Sequence, residues 1–358
     1  MNRNIKITPM QLGLMIIGFI FGDFSIMNPA RAALQDGWIA FIFGWIGGFI
    51  LIGIYLLIYY LNPSKTLIEI LKDSFGKYGG SFLGILYIWY FIHISALVFR
   101  SFMEYMVVVN YPETPLLFPL ILSVITVIYI IRSGLEVTAR LLAFVISFLL
   151  IFTVITGFFL IKEYNFKNLL PVLENGWSPV ISVGYSIMTF PFGELIVFSM
   201  IFPAVHRRDK LAKATFFSVF FGGAFLLSTI LREILVLGPD LLFRTTFPTH
   251  IVGSLIPNVA LEPILSTNLL ISGGAMVIPC IYGALKGIEQ VFSLEDYKPF
   301  IFVLCAFITS LTMWIYDSVP EMFKTAKEIY PYYSIPFQIV IPILVLLVSL
   351  IKKKRIMV

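Results

Sequence analysis

Five ionisable side chains fall well inside apolar stretches of this sequence: Asp23, His93, Arg100, Glu104 and Glu194. A charge in hydrocarbon is costly, so each must face protein or water, and each is a candidate functional residue. Asp23 and Glu194 have a further property in common. Asp23 follows Gly18 and Gly22 and precedes Pro29, while Glu194 ends the run Phe190-Pro191-Phe192-Gly193-Glu194. Glycine weakens a helix and proline removes a backbone donor, so both segments are expected to be kinked or unwound. Non-helical backbone at membrane depth survives only when buried in protein or lining a cavity. Freed N–H groups and half-helix dipoles there suit a small polar or zwitterionic solute. The candidate solute-binding residues are therefore Gly22, Asp23, Phe24 and Ser25 with Phe190, Phe192, Gly193 and Glu194. A plain proline kink is the competing reading of either break alone. Two breaks at matching places favour a site.

His93, Arg100 and Glu104 are spaced to project within about 40° of one another on a helix. Arg100 and Glu104 have the i, i+4 spacing of an ion pair. Two readings stay open: a structural pair that holds a long helix, or a polar path that also takes in Ser266 and Asn268. Ser272-Gly273-Gly274 lies further along the same span as Ser266 and Asn268, and small residues there also suit close helix packing. Arg232-Glu233 is expected near the end of a span, reaching the interface in a structural role.

The elements that position these residues follow from composition. The chain is 59% hydrophobic and 13% charged, against roughly 25% charged in soluble domains. Its apolar residues come in blocks of about 20, the length that crosses a hydrocarbon core. The fold class is an all-α integral membrane protein of about ten spans. They fall at roughly 11–30, 38–61, 82–110, 116–132, 141–161, 180–203, 214–237, 263–287, 299–316 and 335–351, with a short interfacial helix near His250–Leu255. Residues 1–358 read as one transmembrane domain. Five spans per half forces opposite orientations, so an inverted repeat is expected, the first half about 11–161 and the second about 180–351. With the N-terminus inside, 17 basic residues fall on the inner side, Arg3, Lys65, Arg207 and the tail Lys352-Lys353-Lys354-Arg355 among them, against 6 outside. That bias puts both termini in the cytoplasm.

The net charge of +5 sits in loops and tail, so it marks topology and contact with the bilayer rather than a nucleic-acid surface. Cys280 and Cys305 lie in apolar runs and read as packing residues. Phosphate loops, His-Glu-x-x-His, Cys-x-x-Cys and a second membrane aspartate are absent from the sequence, so no enzyme, cofactor or metal is expected.

Order and spacing then point to a family. The chain resembles the spore germination permeases, the multi-spanning B subunits of nutrient germinant receptors, over essentially its full length. The resemblance rests on Ile7-Thr8-Pro9-Met10-Gln11-Leu12 before span one, and on Pro29 followed by Asp36-Gly37-Trp38 before span two. It rests further on Asn168-Leu169-Leu170-Pro171-Val172-Leu173 before span six, Pro191-Phe192-Gly193-Glu194 within it, and the basic tail. It implies a leucine-transporter-type fold of the amino acid/polyamine/organocation superfamily, with helices one and six broken. It also implies a germinant (amino acid, amine or sugar) bound between the breaks in the spore inner membrane, and two partners, a larger membrane A subunit and a lipoprotein C subunit. Asp23 stands where such transporters receive a carboxylate on small residues, which favours an amine, a sugar or a cation. A secondary transporter of amino acids or amines, coupled to H⁺ or Na⁺, is the alternative.

Overall fold

The computed structural model describes residues 6–256 and 262–356. Every regular element among them is helical, apart from a single parallel bridge between Ile7 and Val205. Helix α1 (Pro9–Phe21) begins in a capping box. Gln11 N–H donates to Thr8 Oγ1 at 3.2 Å, and Thr8 N–H to Gln11 Oε1 at 2.8 Å, with Pro9 in the first turn. The helix stops at Gly22. One turn, α2 (Phe24–Met27), and a 3₁₀ segment, Pro29–Asp36, lead into α3 (Gly37–Leu61). There follow α4 (Leu67–Tyr105), α5 (Leu117–Arg132) and α6 (Leu135–Phe159). Helix α7 (Trp177–Ile187) runs into the second break, a wide turn over Met188–Phe192 followed by a tight one over Gly193–Met200. The remaining helices are α8 (Leu211–Arg244), α9 (Pro248–Ser254), α10 (Glu262–Val291), α11 (Ile301–Trp314), α12 (Val319–Glu328), α13 (Tyr330–Tyr333) and α14 (Ile341–Ile356).

Eight stretches of the described residues are long and apolar enough to cross a membrane. The expected fourth and ninth spans are shorter, with 16 residues in α5 and 14 in α11. Helix α11 turns by 101° into the amphipathic α12, so the ninth span ends in a bent pair rather than in a simple loop. The third span starts earlier than residue 82, because α4 begins at Leu67 and carries a break at Gly76, where φ is 78°. The short helix expected near residues 250–255 is α9. Between the expected seventh and eighth spans, residues 257–261 lie outside the described residues, as does Arg3 of the basic count; so do the side chains of Lys354 and Arg355.

The loops gather at two faces. On one, Ile7 N–H donates to Ala204 O at 2.9 Å, Tyr60 Oη to Arg208 O at 3.0 Å, and Asn62 Nδ2 to Ser349 Oγ at 2.9 Å. On the other, Leu173 N–H donates to Asp36 Oδ1 at 2.9 Å and Asn165 N–H to Leu235 O at 3.0 Å. Between the faces, α4 lies along α10, α1 packs on α6, α8 and α10, and α3 packs on α7. The last contact depends on small residues. A Cβ on Gly44 would fall 2.5 Å from Ile187 Cγ2 and 2.7 Å from Gly184 O. Close backbone approach is how membrane helices gain packing without a hydrophobic driving force. Gly44→Leu is therefore expected to destabilise the purified chain by about 1–3 kcal/mol through overpacking, read as a lowered thermal midpoint in detergent. A midpoint equal to the wild type would mean that α3 and α7 are not in contact there.

Candidate functional site

The two breaks face each other across a small cavity of about 40 Å³. Asp23, Phe190 and Glu194 reach it from the breaks, Ser101 from α4 and Met276 from α10, while Met322, Ala326 and Tyr330 line it from α12 and α13. The space holds little more than a water or two. A solute larger than that does not fit in this packing.

In the first break, Gly22 is irreplaceable on space alone. A Cβ there would meet Met276 Sδ at 2.6 Å and Phe19 O at 2.7 Å. Asp23 is buried and accepts a hydrogen bond from Ser101 Oγ. The carbonyls released by the break find donors inside the protein: Ser25 Oγ bonds Phe21 O at 2.9 Å, Thr249 Oγ1 bonds Ser25 O at 2.7 Å, and Ser272 Oγ lies 3.4 Å from Gly22 O. Such satisfaction is obligatory where no water can help.

The second break is built the same way. Phe190 leaves helical geometry at φ −135°, ψ 114°, with Pro191 following. Gln338, from the wide turn Pro336–Val340 that leads into α14, donates to Thr189 O at 2.8 Å and to Tyr90 Oη at 2.6 Å. Tyr55 Oη from α3 lies 3.1 Å from Gly193 O and 2.8 Å from Gln338 O. Gly193 again leaves no room, since a Cβ would fall 2.0 Å from Gln338 Oε1. Glu194 accepts from Tyr330 Oη, which in turn sits 3.2 Å from Tyr90 Oη. The second carboxyl oxygen of Glu194 is buried without a hydrogen-bond partner among the described residues.

The eight residues expected at the breaks are not all directed at the cavity. Asp23, Phe190 and Glu194 line it. Phe24 stacks on Phe190 at 6.1 Å and meets Phe41 edge-on, so it supports the wall from behind. Phe192 turns to Phe41 and to the bare backbone of Gly48. Gly22 and Gly193 contribute backbone geometry, and the Ser25 hydroxyl satisfies Phe21 O. The expected polar path divides. His93 lies between Trp89 and Tyr333. Arg100 pairs with Glu104 at 2.7 Å and reaches Thr312 O and Met313 O, both at 3.3 Å, so this pair fastens α4 to the end of α11. Ser266 bonds Tyr105 and Asn110, and Asn268 lines a different cavity.

Arg232 and Glu233 differ from expectation. Both are buried, at 7% and 1% exposure, instead of reaching the interface. Glu233 accepts from Asn28 Nδ2 and lies 2.6 Å from Thr249 Oγ1. It anchors the turn after the first break, which is why it is inside. Sequence reasoning passed over Ser101, Gln338, Tyr330 and Met276. Ser101 and Gln338 had a readable signal, a hydrogen-bonding side chain within an apolar span; Tyr330 and Met276 had none.

A family model described as "Spore germination protein" matches residues 6–321. Spore germination protein KB of Bacillus subtilis (strain 168) is 31% identical over 98% of this chain and 96% of its own length. The chain belongs to the spore germination protein family. Spore germination protein A2 of the same organism is 30% identical over 50% of this chain and 48% of its own length, and protein B2 is 23% identical over 98% and 96%. Among solved structures, MhsT in complex with L-phenylalanine superposes with a TM-score of 0.67 at 13% identity, covering 98% of this chain and 99% of that one. A manganese transporter mutant of Eremococcus coleocola gives 0.56 at 13% identity, covering 96% and 85%. These likenesses establish a leucine-transporter-type fold for this member of the family, a multi-pass membrane protein.

The bonds of Gln338 predict its mutational effect. Gln338→Leu strips donors from Thr189 O and Tyr90 and leaves a buried carbonyl unsatisfied, at a cost of about 1–3 kcal/mol. Thermal unfolding of the purified variant should show the loss. Wild-type stability would mean that another group satisfies the break.

Proposed function

We propose that this chain is the multi-spanning subunit of a spore nutrient germinant receptor, binding a small nutrient between the two breaks and triggering germination. The observation that carries the reading is one cavity shared by both breaks, with an acid from each, Asp23 and Glu194. Two carboxyl groups across so small a space disfavour a carboxylate unless it brings an amine to them. A solute with an ammonium group, or one rich in hydroxyl donors such as a sugar, satisfies both acids. The two halves, about 11–161 and 180–351, then pack differently with and without solute. Binding shifts that equilibrium only by its differential affinity for the two packings. A larger membrane subunit and a lipoprotein subunit read the change, in a spore inner membrane with both termini of this chain cytoplasmic. The face that carries Ile7, Lys65, Lys72 and Arg208 is the basic one, which supports that orientation.

The fold shared with transporters supports a second reading, a carrier moving an amino acid or amine with H⁺ or Na⁺. The two separate by experiment. Spores carrying Glu194→Gln or Asp23→Asn, with protein levels equal to wild type on immunoblot, are expected to need at least about tenfold more nutrient, the worth of one hydrogen bond to a charged group. Wild-type dose dependence in both variants contradicts the pocket. Steady uptake of the same nutrient into vesicles holding this chain alone favours the carrier.

A further inference from the structure

A second cavity, about 30 Å³, lies behind the first break, between α6, α8, α9 and α10. Arg232 lines it. This guanidinium is over nine-tenths buried, yet no carboxylate of the described residues lies within 4.0 Å of it, and its Nε has no hydrogen-bond partner among them. Its Nη1 donates to Thr156 Oγ1 at 3.0 Å and to Thr153 O at 3.2 Å, both neutral groups. The neighbouring Glu233 does not pair with it. That carboxylate is directed at Asn28 and Thr249. Asn268, on α10, lines the same cavity and makes no side-chain hydrogen bond to another described residue.

Charge and room agree. Among the described residues, Glu233 is the carboxylate in the electrostatic surroundings of Arg232, and its hydrogen bonds go to Asn28 and Thr249 rather than to the guanidinium. An uncompensated charge away from water is among the costliest features a fold can hold. A cavity of this size admits a monatomic ion or one carboxylate group, not a whole nutrient. We propose that this cavity is a binding site for a small monovalent anion, chloride or the carboxylate group of a small acid, held by Arg232 with the Asn268 amide as second donor. The site is separate from the solute cavity and touches the first break through Thr249, which is bonded to Ser25 O. An anion there stabilises the wall on which the broken helix rests.

The test uses the full chain in lipid nanodiscs, unfolded thermally in sodium chloride, sodium formate or sodium isethionate, a bulky sulfonate, at equal ionic strength. Chloride and formate are expected to raise Tm saturably, by about 3 °C or more over isethionate. Stabilisation by chloride assigns the site to inorganic anion, and by formate alone to a carboxylate group. Asn268→Leu keeps Arg232 and its two bonds, and so provides a folded variant even where Arg232→Gln does not fold. It is expected to raise the half-saturating anion concentration about tenfold. Equal Tm in all three salts overturns the proposal, as does an Asn268→Leu response identical to wild type.

Discussion

A polypeptide that breaks its helix inside a bilayer must find a donor for every carbonyl it releases. That constraint organises this molecule. At the first break the donors are Ser25, Thr249 and Ser272; at the second they are Gln338 and Tyr55. Each donor but Ser25 comes from another helix, so the breaks fix the positions of α3, α9, α10 and the turn before α14. The glycines complete the arrangement. Gly22, Gly48 and Gly193 stand where a Cβ would collide with Met276, Phe192 and Gln338. Side chains that carry chemistry, Asp23 and Glu194, then meet across one cavity because the backbone beneath them is held from several sides.

The breaks themselves were legible. Gly22-Asp23 and Pro191-Phe192-Gly193-Glu194 combine poor helix formers with intramembrane acids, and the structure departs from the helix at both. The short quoted segments that suggested the family also gain a physical reason. Thr8-Pro9-Met10-Gln11 is a capping box, and Asp36 and Gln35 bond Leu173 N–H and Pro171 O, so two of the segments touch one another. Partners were not legible, because they lie across the bundle. Nothing in the spacing of Ser101 and Asp23, or of Gln338 and Thr189, signals that they meet. Helical projection gathered His93, Arg100 and Glu104 on one face, and they do share a helix. Their contacts are set by what packs against that face, Tyr333 for one and the end of α11 for the pair.

The two buried polar clusters at the breaks, one at each, differ in character. Around Glu194, hydroxyl groups of Tyr330 and Tyr90 and the amide of Gln338 form a chain that ties an acid to the broken backbone. A change at the acid is therefore felt at the break. Around Glu233, Asn28 and Thr249 tie the turn after the first break to α8 and α9. Helix α12 covers one side of the cavity through Met322 and Ala326. Met322 packs with Met27 and Tyr316 in a small cluster of its own, apart from the main core.

The central claim, that nutrient occupies the space between the breaks beneath α12, is tested most directly at Ala326, which lines that space. Ala326→Cys, in a chain whose own Cys280 and Cys305 are free but buried, would be labelled with a charged thiol reagent in nanodiscs, with and without each solute of an amine, amino acid and sugar panel. The account predicts that the solute which triggers germination of spores bearing this chain slows labelling in a saturable way, and that Glu194→Gln abolishes the protection. Labelling that proceeds at one rate with every solute, including the one that triggers germination, would contradict it.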